Sequence, residues 1–265
     1  MYPSILALTL FATSPGAVPP WPESVVWYDI GHRLVVRIAE LRLTPRTARE
    51  IQEILGGQAL TEASCWADRI RRWRPSTSPL HFVNIPLEAE GYSPERHCPR
   101  GRCIVAELER DRQVLADTTA SRRARAEALR FLIHFIADLH QPLHVSNNKD
   151  RGGNLRRVYF LGNAKNLHQV WDGDLILATG IGESDYFDRL HIRMDSLDLA
   201  ALERGSLVDW VMETHRIAVE QVYRLPPDRR LGEEYLRDNL PLIDLALIKA
   251  GVRLAKVLNE LLGGD

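Results

Sequence analysis

Only three of the 265 residues are cysteine, which allows no more than one internal disulfide. Charge of one sign is missing as well: 34 Lys and Arg against 35 Asp and Glu leave a formal net charge of -1. There is thus no global basic field, and a nucleic-acid partner would have to be held by a local site. No stretch is apolar for long enough to span a bilayer, so the mature chain is expected to be soluble, without stable membrane association. Internal repeats, low-complexity tracts and linkers are absent too, and residues 27–265 are expected to form one domain. A hydrophobic fraction of 45% and a charged fraction of 26% exclude a disordered chain and a collagen-like or coiled-coil rod.

What is present begins with an apolar segment, Ile5 to Ala12, followed by Ser14, Pro15, Gly16 and Ala17. Residues 1–26 read as an export signal, although no Lys or Arg precedes the apolar part, and the protein is expected to be secreted or periplasmic. In an oxidising compartment Cys98 and Cys103, which bracket the short loop CPRGRC, can close as a local disulfide. Cys65 is then left as a buried, unreactive thiol on a helix beside Trp66.

From Gly31 onward apolar residues recur at three- and four-residue spacing, interrupted by Pro, Gly and Ser clusters, which is the rhythm of helices. The reading is Trp27 to Leu41, Thr44 to Leu55, Thr61 to Arg72, Ile104 to Ala116, Ser121 to Asp138, Asp185 to Leu190, Ser206 to Tyr223 and Gly232 to Leu262, the last bent before Pro241. The run ALRFLIHFIADL is apolar nearly all the way round, which places its helix at the centre of the fold. One strand-like segment, Leu155 to Gly162, lies between GGN and GNAKN and suggests a short hairpin. The fold class is therefore all-α with a β-hairpin near residues 155–162.

Two polar pairs stand out against this background. His134 and Asp138 lie one turn apart on the central helix, and His168 and Asp172 repeat that spacing in NLHQVWD. Burying an imidazole and a carboxylate costs several kcal/mol unless they are paired or coordinated, by the usual estimate for buried polar groups. His144, in HQPLH just past the central helix, adds a third imidazole. Imidazole and carboxylate are standard zinc donors, so the set reads as ligands for more than one zinc ion. Asp68, His81 and His32 are single candidates, each as readily a structural residue when taken alone.

The ordered set WYDIGH, SCWAD, LHF, CPRGRC, ALRFLIHFIADLHQPLH, GGN and NLHQVWD closely resembles the zinc-dependent single-strand-specific nucleases of the S1/P1 nuclease family. The resemblance runs from Trp27 to about Asp172 and implies the helical zinc-enzyme fold of the phospholipase C/nuclease type. It also implies three zinc ions. One would be held by Asp68, His81, His134 and Asp138, with Asp138 bridging to a second that takes His32 and Trp27, and a third would be held by His144, His168 and Asp172. Trp27 would ligate through its carbonyl and a free α-amino group, which requires cleavage after Val26. Catalysis would rest on Asp68, Asp138 and Arg71, with no side-chain nucleophile, because zinc lowers the pKa of water. Phe82 would stack on a base with Asn154 helping to hold it, and stacking of that kind needs an unpaired base. Asn84 stands where some members carry an aspartate that pairs with the arginine; an amide can orient Arg71 but not neutralise it. Tyr28 replaces a small residue.

The implied activity is endonucleolytic hydrolysis of single-stranded DNA and RNA to 5'-phosphorylated products, with 3'-nucleotides as further substrates, by a monomeric, exported enzyme. The alternatives are a zinc phospholipase C acting on lipid headgroups and a non-catalytic zinc scaffold. DNA against RNA, and base preference, stay open. His97, His140, His191 and His215 read as structural or surface residues.

Overall fold

The computed structural model describes residues 28–264. The expected export signal and the expected ligand Trp27 lie outside the described residues. No helix among those described is long and apolar enough to cross a membrane.

The central helix spans Arg122–Leu139 and starts where Ser121 accepts the amide of Ala124 at 3.2 Å. Every residue from Phe131 to Leu139 is buried, His134 and Asp138 included. Each large apolar side chain in that run contributes roughly 1.5–3 kcal/mol on burial, which is what allows two polar groups to be carried inside. Packed around it are the N-terminal helix Tyr28–Glu40, the helix Ile104–Ala116 and the C-terminal helix Glu233–Leu262. Gly251 sets the spacing of the outer two: a Cβ there would lie 2.5 Å from Ile38 Cβ and 2.8 Å from the Val35 carbonyl. The C-terminal helix carries Pro241 inside it and is continuous from Glu233 to Leu262. Its Asp244 is buried and accepts from Tyr186, Arg189 and Arg193, docking a helix over Glu183–Met194 that is longer than the expected Asp185 to Leu190.

The expected helix Thr61 to Arg72 is broken. It forms two short helices, Leu60–Ser64 and Trp66–Ile70, separated by Cys65 at φ -97°, ψ 2°. Carbonyls at a helix C-terminus lack intrahelical partners, and that of Ser64 accepts instead from His134 Nδ1 at 2.7 Å. Cys65 is free and buried, and burial pushes its thiol up to about 11, in keeping with the inert thiol expected. Cys98 and Cys103 are joined as expected. The helix expected to reach Tyr223 spans Leu207–Ile217 and continues as a π turn, Ala218–Val222.

The hairpin is present, with Arg157–Phe160 antiparallel to Asn163–Asn166 across Leu161 and Gly162, both at positive φ. Two pairings have no counterpart in the sequence reading. Arg230–Leu231 adds a parallel strand to the hairpin, and Ile85–Pro86 pairs in parallel with Ser146–Asn147.

One acid has no role in this packing. Asp111, on Ile104–Ala116, is buried, and its Oδ2 has no hydrogen-bond partner among the described residues. Burial, then the charge of Glu107 on the same helix, with Glu127 on the central helix adding to it against Arg110, pushes its carboxyl up to about 9. The folded chain keeps this proton to about pH 9, whereas the unfolded chain releases it near 3.8, so folding stability falls as pH rises through that window. Asp111→Asn should flatten the fall and, at pH 8, gain on the order of a few kcal/mol. Melting curves of both proteins at pH 5 and pH 8 test this: the variant's advantage should grow with pH, and an equal offset at both would refute it.

Candidate active site

Seven elements bring the polar residues together. His32 comes from the N-terminal helix, Asp68 from Trp66–Ile70, and His134 with Asp138 from the central helix. His81 ends the 3-10 turn Pro75–His81, and His144 ends another, Pro142–His144. His168 lies in the short helix Leu167–Gln169, capped by Asn166 in a reciprocal box with Gln169. Asp172 follows in the π turn Val170–Asp174, and π turns recur at functional sites. The segment from His81 to Asn84 is held beside His144 because the Val83 amide donates to the His144 carbonyl at 2.8 Å and His144 Nδ1 donates to the His81 carbonyl at 3.1 Å.

Asp138 is the hub. Its Oδ1 lies 3.4 Å from His32 Nε2 and 3.3 Å from His144 Nδ1, while Oδ2 lies 3.0 Å from His81 Nδ1 and 3.2 Å from His134 Nε2. Asp68 approaches the same two imidazoles, at 3.7 Å from His81 Nδ1 and 3.8 Å from His134 Nε2. Asp172 is shared by His144 Nε2 at 3.3 Å and His168 Nε2 at 3.2 Å. The donor atoms thus gather into three groups: His32, His134 and Asp138; Asp68, His81 and His134; His144, His168 and Asp172.

Two donors at tetrahedral bond lengths from one zinc ion stand roughly 3.3 Å apart, so the spacing within these groups suits such an ion. Orientation suits it as well. His134 donates Nδ1–H to the Ser64 carbonyl and His168 donates Nδ1–H to the Gly152 carbonyl, both at 2.7 Å, so each turns a bare Nε2 toward its group. Gln141 donates to Asp172 in the same supporting manner.

Electrostatics match this donor role. Burial alone would raise the Asp138 carboxyl, but His134 and His144 hold it well below the ordinary carboxylate range. Asp172 is lowered against the same burial by His168 and His144, and Asp68 by His134. All three carboxylates are therefore charged at neutral pH. Burial opposes protonation of His134, yet Asp138 and Asp68 push it up to about 9, and His144 is raised through Asp138 and Asp172 in spite of its burial. Burial lowers His32 to about 3, aided by the His134 charge, and burial likewise lowers His81. The cluster demands positive charge, which protons on His134 and His144 or a bound cation can supply.

The groups form the floor of a cleft of about 560 Å³. Arg71, Phe82, Asn84 and Asn154, the expected substrate contacts, all line it, whereas His134 lies fully buried behind the floor. Arg71 is oriented by Asp68 Oδ1 at 3.0 Å, and no hydrogen bond joins it to Asn84 among the described residues. The phenyl ring of Phe82 is exposed, and its carbonyl is fixed by the Ile104 amide at 3.0 Å, directly after the disulfide.

Arg151, Asn147 and Leu143 line the cleft too and were missed. The signal for Arg151 is its place in DRGGN, a charge on a glycine turn. That turn is tied down by Asp150, which accepts from Gly153, Arg156 and Tyr223. Arg151 itself is held at φ 56°, an unusual conformation for a non-glycine residue. Gly152 cannot be replaced without movement, since a Cβ would lie 2.3 Å from the Leu143 carbonyl.

The remaining histidines stay out of the cleft. His140 is buried between the Ile136 carbonyl and Arg253, His97 accepts from the Ser93 amide, His215 bonds Ser146, and His191 is exposed.

Compared with known proteins, residues 27–263 match the model of the S1/P1 nuclease family. Endonuclease 2 of Arabidopsis thaliana is 31% identical over 89% of this chain and 91% of its own. Nuclease P1 of Penicillium citrinum is 29% identical, covering 90% of this chain and 99% of its own, and Nuclease S1 of Aspergillus oryzae is 26% identical over 86% and 89%.

Proposed function

Because this chain belongs to the S1/P1 nuclease family and is a nuclease, we propose that it is an exported, monomeric, zinc-dependent enzyme that hydrolyses single-stranded DNA and RNA to 5'-phosphorylated products and also acts on 3'-nucleotides. The observation that carries this reading is the joining of three His/Asp donor groups through Asp138 and His144 on the floor of one cleft walled by Arg71 and Phe82.

Three zinc ions would be held, one by Asp68, His81, His134 and Asp138, a second by Asp138 and His32 together with Trp27, and a third by His144, His168 and Asp172. Zinc, when bound, polarises a phosphoryl oxygen and makes water a nucleophile at neutral pH. The chain's own residues do the rest. Arg71, held by Asp68, directs a fixed positive charge at the phosphoryl group, where charge grows in the transition state. Phe82 offers its exposed ring to one unpaired base, and Asn84 and Asn154 supply amides at its edge. Arg151, next to the Gly152 whose carbonyl His168 bonds, adds a second guanidinium to the cleft lining. A paired base is unavailable for stacking on Phe82 without first leaving its duplex, which gives the preference for single strands.

Digestion of matched single-stranded and duplex DNA, with end-group analysis, tests the reading. Cleavage of the single strand to 5'-phosphate and 3'-hydroxyl ends, in large excess over the duplex, is expected. Equal cleavage of both forms, or 3'-phosphate ends, would overturn it, and release of phosphorylated headgroups from phosphatidylcholine without strand cleavage would favour the phospholipase alternative.

A further inference from the structure

The most exposed large apolar side chain among the described residues is Trp73, at 84%. It sits in a turn just after Trp66–Ile70, fixed where the amides of Trp73 and Arg74 both donate to the Ile70 carbonyl, at 2.9 and 2.7 Å. The surrounding sequence, RIRRWR from Arg69 to Arg74, carries four arginines and no acid, in a chain whose overall charge is nearly balanced. Two of the four have partners: Arg71 pairs with Asp68 in the cleft, and Arg74 pairs with Glu127 at 2.6 Å. Arg69 and Arg72 are exposed, and no ion pair or hydrogen bond engages either side chain among the described residues. No ring or cation–π partner among the described residues covers the Trp73 indole. An exposed tryptophan adds nothing to the core, and two uncompensated arginines beside it add nothing to the fold.

An aromatic ring interleaved with basic groups is the arrangement that grips an unpaired strand, the ring stacking a base and the guanidinium groups taking phosphates. Arg71, two residues before Trp73, lies in the cleft wall, so the patch adjoins the cutting site. We propose that Trp73, with Arg69 and Arg72, forms a second binding site for the substrate strand outside the cleft, where the indole stacks one unpaired base and the arginines hold neighbouring phosphates. This rests on the nuclease reading above. It makes long strands better substrates than short ones, through binding and not through the chemical step.

The test compares the wild type with Trp73→Ala, Trp73→Phe and the double variant Arg69→Ser/Arg72→Ser, on a dinucleotide and on an oligothymidylate of about twenty nucleotides. Loss of one stacked base should raise KM for the long strand about tenfold in Trp73→Ala, with kcat and the dinucleotide kinetics unchanged, and Trp73→Phe should recover most of the loss. The double variant should lower the salt slope of long-strand binding by about one to two. Equal loss on both substrates, or no loss on either, would overturn the proposal. Anisotropy of the labelled oligothymidylate on the untreated protein, read before measurable cleavage, separates this proposal from the cleavage reading. If the wild type cuts neither substrate, weaker binding by Trp73→Ala still supports the second site, and unchanged binding overturns it. Capture by anionic vesicles that depends on Trp73, with oligonucleotide binding unaffected, would also overturn it and make the patch a membrane contact.

Discussion

Asp138→Asn should lower the rate of single-strand cleavage by at least about a thousandfold, since even a partner one shell removed from a metal costs about 10–100-fold. The reason lies in how much converges on one carboxylate. Two oxygens serve four imidazoles, those of His32, His81, His134 and His144, all within 3.4 Å. An amide offers one acceptor and one NH2 group, so half of those contacts would face a donor, and it carries no charge. The substitution also leaves the raised His134 and His144 imidazoles without their main counter-charge in a buried setting. Breaking a buried ion pair in this way costs about 3–5 kcal/mol. Single-turnover rates measured well below the variant's melting temperature separate the two effects: the melting point should fall, but cleavage should be lost even where circular dichroism shows the fold intact. A variant with more than about a tenth of the wild-type rate would remove Asp138 from the centre of the mechanism.

Stripping the metal should have the other large effect. Asp68, Asp138 and Asp172 lie together with His32, His81, His134, His144 and His168, on separate elements spread between residues 32 and 172. An ion that joins them therefore ties the N-terminal helix to the central helix and the central helix to the hairpin region. Binding to the folded chain alone at a thousandfold excess over Kd adds about 4 kcal/mol per ion, which for a chain of this size corresponds to a melting shift of about 10 °C. Calorimetry before and after chelation should show a fall of at least that size. An unchanged melting temperature would mean that the cluster closes as a hydrogen-bonded core without an ion.

The parts of this site that could be read in the sequence are those encoded by local spacing. His134 with Asp138, and His168 with Asp172, stand four residues apart, and in both pairs the side chains meet at 3.2 Å. The second pair does so across the junction of a short helix and a π turn, where the four-residue spacing still places both groups on one side. The apolar run around His134 marked the central helix because no surface helix is apolar all round. Hidden from the sequence were the features fixed by distant partners. The break at Cys65 is coupled to His134 through the Ser64 carbonyl, 70 residues away. The two-residue pairing of Ile85–Pro86 with Ser146–Asn147, which lays His81 beside His144, has no local period to betray it. Arg151 was overlooked because a lone arginine in a turn is ordinary until the turn is seen to face the cleft.

In the proposed mechanism the donor groups joined by Asp138 and His144 hold the metal on which strand cleavage depends. The most direct test is to strip the full chain with a chelator, return zinc in measured steps, and record bound zinc and the rate of single-stranded DNA cleavage on the same samples. The rate should lie at background in the stripped protein, rise with bound zinc and level off when the sites are full, with Asp138→Asn failing to follow. Full cleavage by protein shown to hold no metal would contradict that mechanism.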